Sequence, residues 1–449
     1  MNEKSHGDRR IHLDPAGTGR MPAAVREVLT EWTRFEDRYG PYELDERLED
    51  VLHREIHERL AALLGTPPGD TFLCTGAADA FAAVLSRLPL GPRDRVWATP
   101  YESAANLSTV LALRARTGCR LEVVPLRPDG DLDLEWMARH IGGDVALVCV
   151  PYVPSGCGIV HPVEDIGRLL APHRCLYAVD ASYAVGQLPL DAARIGCHLV
   201  TGDGWRFLRG PYAAGFAGVA PRLRTMLAPH GGPPLVPPHG AAAAALNRAL
   251  ALHAAPPPGR DLALGLRAAV EDTAGTELVA PGRLQSGIVT FRHPDVPAAL
   301  VRRRLADRGV VVGKTVAHEV PLYLPERGVV TAVRASVHHD NSAEDIEVFA
   351  HALKDAVTET RPLPAQHPRP PAPAPVPVPV PALVPAPAPV PGPAPVQAPV
   401  PGPAPVPAAH AVPSRPAGPG TPRVRSAGRR HLTLVPDRPP DSGRRRPGA

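Results

Sequence analysis

The residues equipped for chemistry fall in a few short stretches. In Thr201-Gly202-Asp203-Gly204-Trp205-Arg206-Phe207-Leu208-Arg209-Gly210-Pro211, a carboxylate and a guanidinium stand three positions apart. A guanidinium is delocalised and stays charged in proteins, so Arg206 is suited to hold an anion, not to attack an aldehyde as a nucleophile. Gly76-Ala77-Ala78 turns a β-rich run into a helical pattern. The free N–H groups and positive dipole end of such a helix suit a phosphate, and an ordinary strand-to-helix turn reads the same way. Asp180 ends an apolar run, where residue type alone suggests a helix cap. Arg334 carries a fork that fits a carboxylate bidentately, or makes a surface ion pair. His338 and His339 are candidate bases in their uncharged form.

These residues need a scaffold, and the pattern supplies one. From Thr71 to Val219, strand-like runs at 71–74, 95–99, 121–124, 145–150 and 175–180 alternate with helical patterns. The helices are expected after residue 76 and at about 105–116, 132–140 and 163–170. Near-continuous apolar strands alternating with helices predict a mainly parallel sheet covered on both faces. After Pro221 comes a proline-, glycine- and alanine-rich stretch with one helix near 241–253. A smaller α+β unit follows: a strand at 287–291, a helix at 296–308 ended by Gly309, a short strand at 310–312, a strand at 333–337 and a helix at 342–357.

Four further motifs agree in order and spacing with one known family. Ile11-His12-Leu13-Asp14-Pro15-Ala16-Gly17-Thr18-Gly19 resembles an N-terminal "LDNAATG" opening. Cys74-Thr75-Gly76-Ala77-Ala78-Asp79 falls at a glycine-alanine-threonine turn, and Ala178-Val179-Asp180-Ala181-Ser182-Tyr183-Ala184-Val185-Gly186-Gln187 at a "VDAAQAxGQ" strand end. Val333-Arg334-Ala335-Ser336-Val337-His338-His339-Asp340-Asn341 resembles an "RxSxHxYN" signature. With the 201–211 stretch, they make residues 11–356 resemble the class V aminotransferases, which include the cysteine desulfurases and act through pyridoxal 5'-phosphate (PLP) on amino acids.

That resemblance implies an α/β fold of type I: a large domain with a mainly parallel, seven-stranded-type sheet and a small C-terminal α+β domain. The divisions expected are an N-terminal segment at 1–45, a large domain at 46–260, a small domain at 261–361 and a disordered tail at 362–449. It also implies a homodimer with the active site at the subunit interface, and a small amino-acid-like substrate. Arg206 falls at the position of the lysine that carries PLP as a Schiff base. Ala77, Ala78, Ser103, Asp180, Tyr183, Asp203 and Trp205 fall at the cofactor, Asp180 pairing with its pyridine nitrogen and making the ring an electron sink. Arg334 falls at the clamp for a substrate carboxylate.

The departures are as consistent as the matches. Ser103 replaces a stacking aromatic or histidine, a contact worth about 1 kcal/mol. Ala78 replaces a threonine hydroxyl on the phosphate, and Tyr183 a glutamine that faces the phenolic oxygen. Asp203 replaces a serine or threonine that donates to the phosphate. A carboxylate about 4 Å from a phosphate charge costs up to roughly 4 kcal/mol at an effective dielectric of about 20. The simplest outcome is an Asp203–Arg206 pair in a vacated site. The lead reading is a divergent transferase or lyase with noncovalent or impaired PLP use. The alternative is a non-catalytic binding or regulatory relative.

Replacement lysines are few: the chain has only Lys4, Lys314 and Lys354. Lys314 follows the 310–312 strand and either faces the interdomain cleft or is an exposed loop residue. The six cysteines are scattered without metal-ligand spacing, as expected of buried, reduced thiols in a cytoplasmic protein. Cys157, in a loop, is the one thiol with a possible function. The N-terminus lacks the apolar core of a signal peptide and no apolar run is long enough to span a bilayer.

Residues 362–449 alternate proline with alanine and valine, which favours an extended polyproline II rod, and carry ten arginines against two aspartates. That surplus of eight leaves the preceding residues at −4, since the whole chain is +4. A mildly acidic body has no electrostatic footprint for nucleic acid. The arginine cluster leaves acidic partners, lipid or nucleic acid open for the tail, beside a plain solvated extension.

Overall fold

The structure is a computed structural model that describes residues 10–253, 260–280 and 282–359. Lys4 and the expected proline-rich rod at 362–449 lie outside the described residues. Strand β1 is Ile11–Leu13. Seven strands then follow: β2 (Thr71–Cys74), β3 (Arg95–Ala98), β4 (Arg120–Val123), β5 (Val145–Pro151), β6 (Leu176–Asp180), β7 (Leu199–Asp203) and β8 (Gly215–Val219). They form one sheet in the order β2-β8-β7-β6-β5-β3-β4. β8 runs antiparallel to both its neighbours and every other pairing is parallel.

Side-chain alternation explains why this sheet is buried twice over. Val148, Val150, Tyr177, Val179 and Val200 enter the core on one face. Leu147, Cys149, Leu176, Ala178 and Leu199 enter a second core on the other. Each fully buried aliphatic side chain contributes roughly 1.5–3 kcal/mol, so both faces must be covered by helices.

The second sheet contains β9 (Glu277–Leu278), β10 (Ile288–Arg292), β11 (Val310–Val316) and β12 (Thr331–Ser336), in the order β1-β11-β12-β10-β9. β1 pairs parallel with residues 310–312, while β12 pairs antiparallel with residues 313–316. That double pairing is why β11 is longer than its apolar run at 310–312. It also draws the N-terminal stretch into the C-terminal sheet, where Leu13 shares a core with Val289, Val312 and Phe349.

The helix Ala23–Tyr39 lay outside the expected elements, although Val25, Val28, Leu29, Trp32 and Phe35 fall at helical spacing; of these only Val25 is fully buried. Val25 packs on Ala245 and Ala249 of the alanine-rich helix Gly240–Leu252. The last helix, Ala343–Thr358, starts at a capping box: Ser342 Oγ accepts the Asp345 N–H, and the Asp345 side chain accepts the Ser342 N–H. No helix of the described residues is long and apolar enough to cross a membrane.

Parallel strands end where an open α/β sheet binds its ligands. Asp180 and Asp203 stand at the carboxyl ends of adjacent β6 and β7, and Gly76 follows β2. Gly186, at φ +90°, lets the loop after Asp180 touch the Arg206 loop. A Cβ there would stand 2.7 Å from the backbone carbon of Phe207. Gly186→Ala is expected to destabilise the fold by about 1–3 kcal/mol, through a backbone clash and a positive φ. A urea melt with an unchanged midpoint would contradict this account of how the two loops are joined.

Candidate functional site

The site is organised around one carboxylate. Asp203 ends β7 almost fully buried, and its two oxygens are used separately. Oδ1 accepts the Ala77 N–H at 3.0 Å, at the N-terminus of the helix Ala77–Leu85. Oδ2 accepts Arg206 Nε at 2.9 Å. Burial pushes the Asp203 carboxyl upward, while Arg206 and the Ala77 N–H pull it down; the net direction is up.

Arg206 is held on several sides. Its Nη1 donates to the carbonyls of Ala16 at 2.6 Å and Gly17 at 3.3 Å. Its guanidinium carbon lies 4.1 Å from the centre of the Tyr183 ring and 5.7 Å from that of Trp205. Burial works against its charge, yet Tyr183, Asp203 and Asp180 outweigh that and hold it above the ordinary value. The loop that delivers those carbonyls is itself tied down: Ala16 N–H donates to Ser336 Oγ, and Gly19 N–H to the Trp205 carbonyl. The expected Asp203–Arg206 pair is therefore present, and it is built into the backbone around it.

Asp180 is no helix cap, because no helix follows it before residue 192. Its Oδ1 accepts the Ser182 N–H at 2.9 Å and its Oδ2 accepts Asn106 Nδ2 at 2.8 Å. Ser103 has a structural task in this structure. It caps the helix Ala104–Thr117 by accepting the Asn106 N–H at 3.2 Å. Beneath it lies Glu102, 1% exposed, which the sequence reading passed over. Burial, reinforced by Asp180, pushes its carboxyl up to about 8. The buried Asn106 Oδ1 has no hydrogen-bond partner, while its amide nitrogen serves Asp180. Glu102 and Asn106 were visible only as an acid and an amide four positions apart, which any helix start also shows.

Arg334 lies on β12 and is 6% exposed, which removes the surface ion-pair reading. Nη1 donates to the Ser155 carbonyl at 3.1 Å, Nη2 stands 3.8 Å from Asp14, and the buried Nε–H has no partner. Its guanidinium carbon is 5.9 Å from the Tyr183 ring, on which Arg206 also lies. Asp14 is pushed upward by burial, with Arg334 opposing.

Other candidates fall away from this centre. Lys314 is exposed within β11, not in a loop beyond a shorter strand. His338 has Nε2 at 2.8 Å from the Phe207 carbonyl and Nδ1 at 2.9 Å from Asp340, so both nitrogens are occupied as fasteners. Cys157 is fully buried and burial pushes its thiol up to about 12, so it is a packing residue and not a reactive loop thiol. Ala77 and Trp205 are buried beside Asp203, while Ala78 is exposed.

The residues fit PLP at one end only. Asp180, fixed by Asn106 and Ser182, has the chemistry to hold a protonated pyridine nitrogen. The phosphate end does not fit: the helix N–H of Ala77 already serves Asp203. A Cβ on Gly76 would stand 3.2 Å from Trp205 and 3.7 Å from Asp203 Oδ1. No lysine reaches the centre among the described residues, and none of them forms a cluster able to hold a metal ion.

Glu102 makes stability depend on pH in a defined direction. The ordinary value of 4.5 is raised to about 8 in the fold. Between those limits the folded chain keeps a proton that the unfolded chain has lost. The contribution is full below pH 4.5 and is lost as pH rises toward 8. Glu102→Gln, a neutral isostere, should remove up to about 1.4 kcal/mol per pH unit of that slope. Parallel pH–stability curves for the two proteins between pH 5 and 8 would show that Glu102 is ionised in the fold.

The profile of the aminotransferase class-V family matches residues 11–229. A probable hercynylcysteine sulfoxide lyase of Mycobacterium tuberculosis is 28% identical over 372 residues, covering 78% of this chain and 91% of its own. A probable cysteine desulfurase of Xylella fastidiosa is 27% identical over 389 residues, with 78% and 91% covered. The cysteine desulfurase CsdA of Escherichia coli shares the fold at a TM-score of 0.68 and 20% identity, over 78% of this chain and 94% of that one. A variant of C-DES, solved with glycine covalently linked to its PLP cofactor, does so at 0.65 and 17%, over 78% and 97%. Residues 11–229 thus match the aminotransferase class-V family, and the chain shares the fold of those structures.

Proposed function

We propose that the protein receives a small, sulfur-bearing amino acid through Arg334, in the reaction space of carbon–sulfur lyases and desulfurases. The observation that carries this is the Arg334 Nε–H, buried and without a partner. Leaving such a donor dry costs about 1–3 kcal/mol, and a ligand carboxylate would recover it as a charge-assisted bond. The names of the relatives supply the substrate class: a hercynylcysteine sulfoxide lyase, cysteine desulfurases and a cystine C–S lyase. Without a lysine at residue 206, PLP use is noncovalent or impaired and turnover is severely reduced.

A second reading, a non-catalytic binding or regulatory relative, is favoured by the occupied phosphate end. Both readings need ligand binding at Arg334, and they part at turnover. The working unit is proposed to be a homodimer in the cytoplasm. Tyr212, 74% exposed yet ring-packed on Trp205 at 4.8 Å, offers an apolar contact at the mouth of the site. The six buried free thiols suit a reducing compartment.

Calorimetric titration with L-cysteine and an S-substituted cysteine sulfoxide tests the binding reading. Arg334→Ala should weaken binding by about 10- to 100-fold, the worth of a hydrogen bond to a charged group. Equal affinity in the two proteins would remove Arg334 as the receptor. Sulfur release measured with added PLP separates the lyase from the binding relative. Sedimentation of the full chain should give twice the chain mass, and a monomer at micromolar concentration would contradict the dimer.

A further inference from the structure

We propose that Asp203 is an internal anion that fills the phosphate position of the cofactor cup, and that Arg206 locks it there, so the two residues act as a single plug against phosphate-bearing ligands. The inference deepens the reading above at its cofactor side. It holds whichever amino acid Arg334 receives.

The geometry supports a plug, as opposed to a chance surface pair, on four counts. Asp203 Oδ1 takes the Ala77 N–H, the donor that a helix N-terminus would otherwise turn toward a bound anion. The opposite oxygen takes Arg206 Nε, so the carboxylate bridges helix and guanidinium. Arg206 in turn cannot swing aside cheaply, because Nη1 is fastened to Ala16 and Gly17 and its face lies on Tyr183. Gly76 and Trp205 close the space beneath. A phosphate entering this cup must break the Ala77 bond and face the carboxylate, or displace it and leave a buried carboxylate without its donors.

One consequence concerns the two substitutions together. Restoring a lysine at position 206 alone would leave its ammonium beside Asp203, which favours the protonated amine and disfavours attack on an aldehyde. Removing Asp203 alone opens the cup but supplies no amine. Both changes are required to recover a covalently held cofactor.

The full chain and the variants Asp203→Ser, Arg206→Lys and the double variant are titrated with PLP, followed by absorbance and by tryptophan fluorescence, with inorganic phosphate as competitor. Wild type and Arg206→Lys should bind PLP at least tenfold more weakly than Asp203→Ser. Only the double variant should give the absorbance band of a covalent PLP–lysine linkage, abolished by borohydride reduction. Phosphate should compete with PLP in Asp203→Ser. Wild-type affinity equal to that of Asp203→Ser, a covalent band in Arg206→Lys alone, or no competition by phosphate would each overturn the plug. Should thermal melts show Asp203→Ser to be unfolded, Asp203→Ala removes both the charge and the acceptor of the Ala77 N–H. If it is folded and still rejects PLP, the plug is overturned. Loss of amino-acid binding in wild type, with the Asp203→Ser gain intact, sinks the Arg334 reading and leaves the plug standing.

Discussion

A buried carboxylate needs partners, and Asp203 has recruited those of an anion site. Desolvation at the end of β7 is tolerated because a helix N–H and a guanidinium divide its two oxygens. Much of the surrounding architecture follows from keeping that arrangement. The loop at 14–19 turns its carbonyls onto Arg206. Gly186 lets the loop after Asp180 approach Phe207, and Trp205 fills the floor under Gly76. An unpaired Arg206 in this volume would be far more costly than an exposed one, so pair and loops are retained together.

The other end of the site keeps a different chemistry. Asp180 is fixed by Asn106 and Ser182, and Glu102 lies protonation-prone beneath it. Arg334 is buried with one donor free, facing the same aromatic ring as Arg206. The surroundings of Asp180 and Arg334 thus remain polar and ordered, while the helix N–H of Ala77 is taken by the protein's own carboxylate. Such local pairing leaves the scaffold intact, since the sheet that carries the site is stabilised by cores on both faces that the site residues barely enter.

Two residues show how far pattern reading reaches and where it stops. Arg334 was legible as a carboxylate-binding type in a matching motif. Its burial and its unpartnered Nε were not, because they depend on Asp14, Ser155 and Tyr183 from distant parts of the chain. Cys157 misled, since a thiol between glycines looks like an exposed loop, yet tertiary packing encloses it completely. The N-terminal helix at 23–39 carries a helical apolar period through Val25, Val28, Leu29, Trp32 and Phe35, yet most of that face is only partly buried.

Strand alternation, apolar periodicity and ordered motifs determined from sequence alone that residues 71–219 build a mainly parallel sheet. The motifs also carry the resemblance by which Arg206 is expected at the position of a cofactor lysine. They act over a few residues, and the chemistry of each side chain is carried by its type. Only the tertiary structure decided which oxygen of Asp203 meets the helix and which meets Arg206, that Ala16 and Gly17 complete the lock, and that Glu102 is buried beside Asp180. Those contacts join residues up to 190 positions apart, and burial and dielectric, which set their strength, exist only once the chain has closed around them.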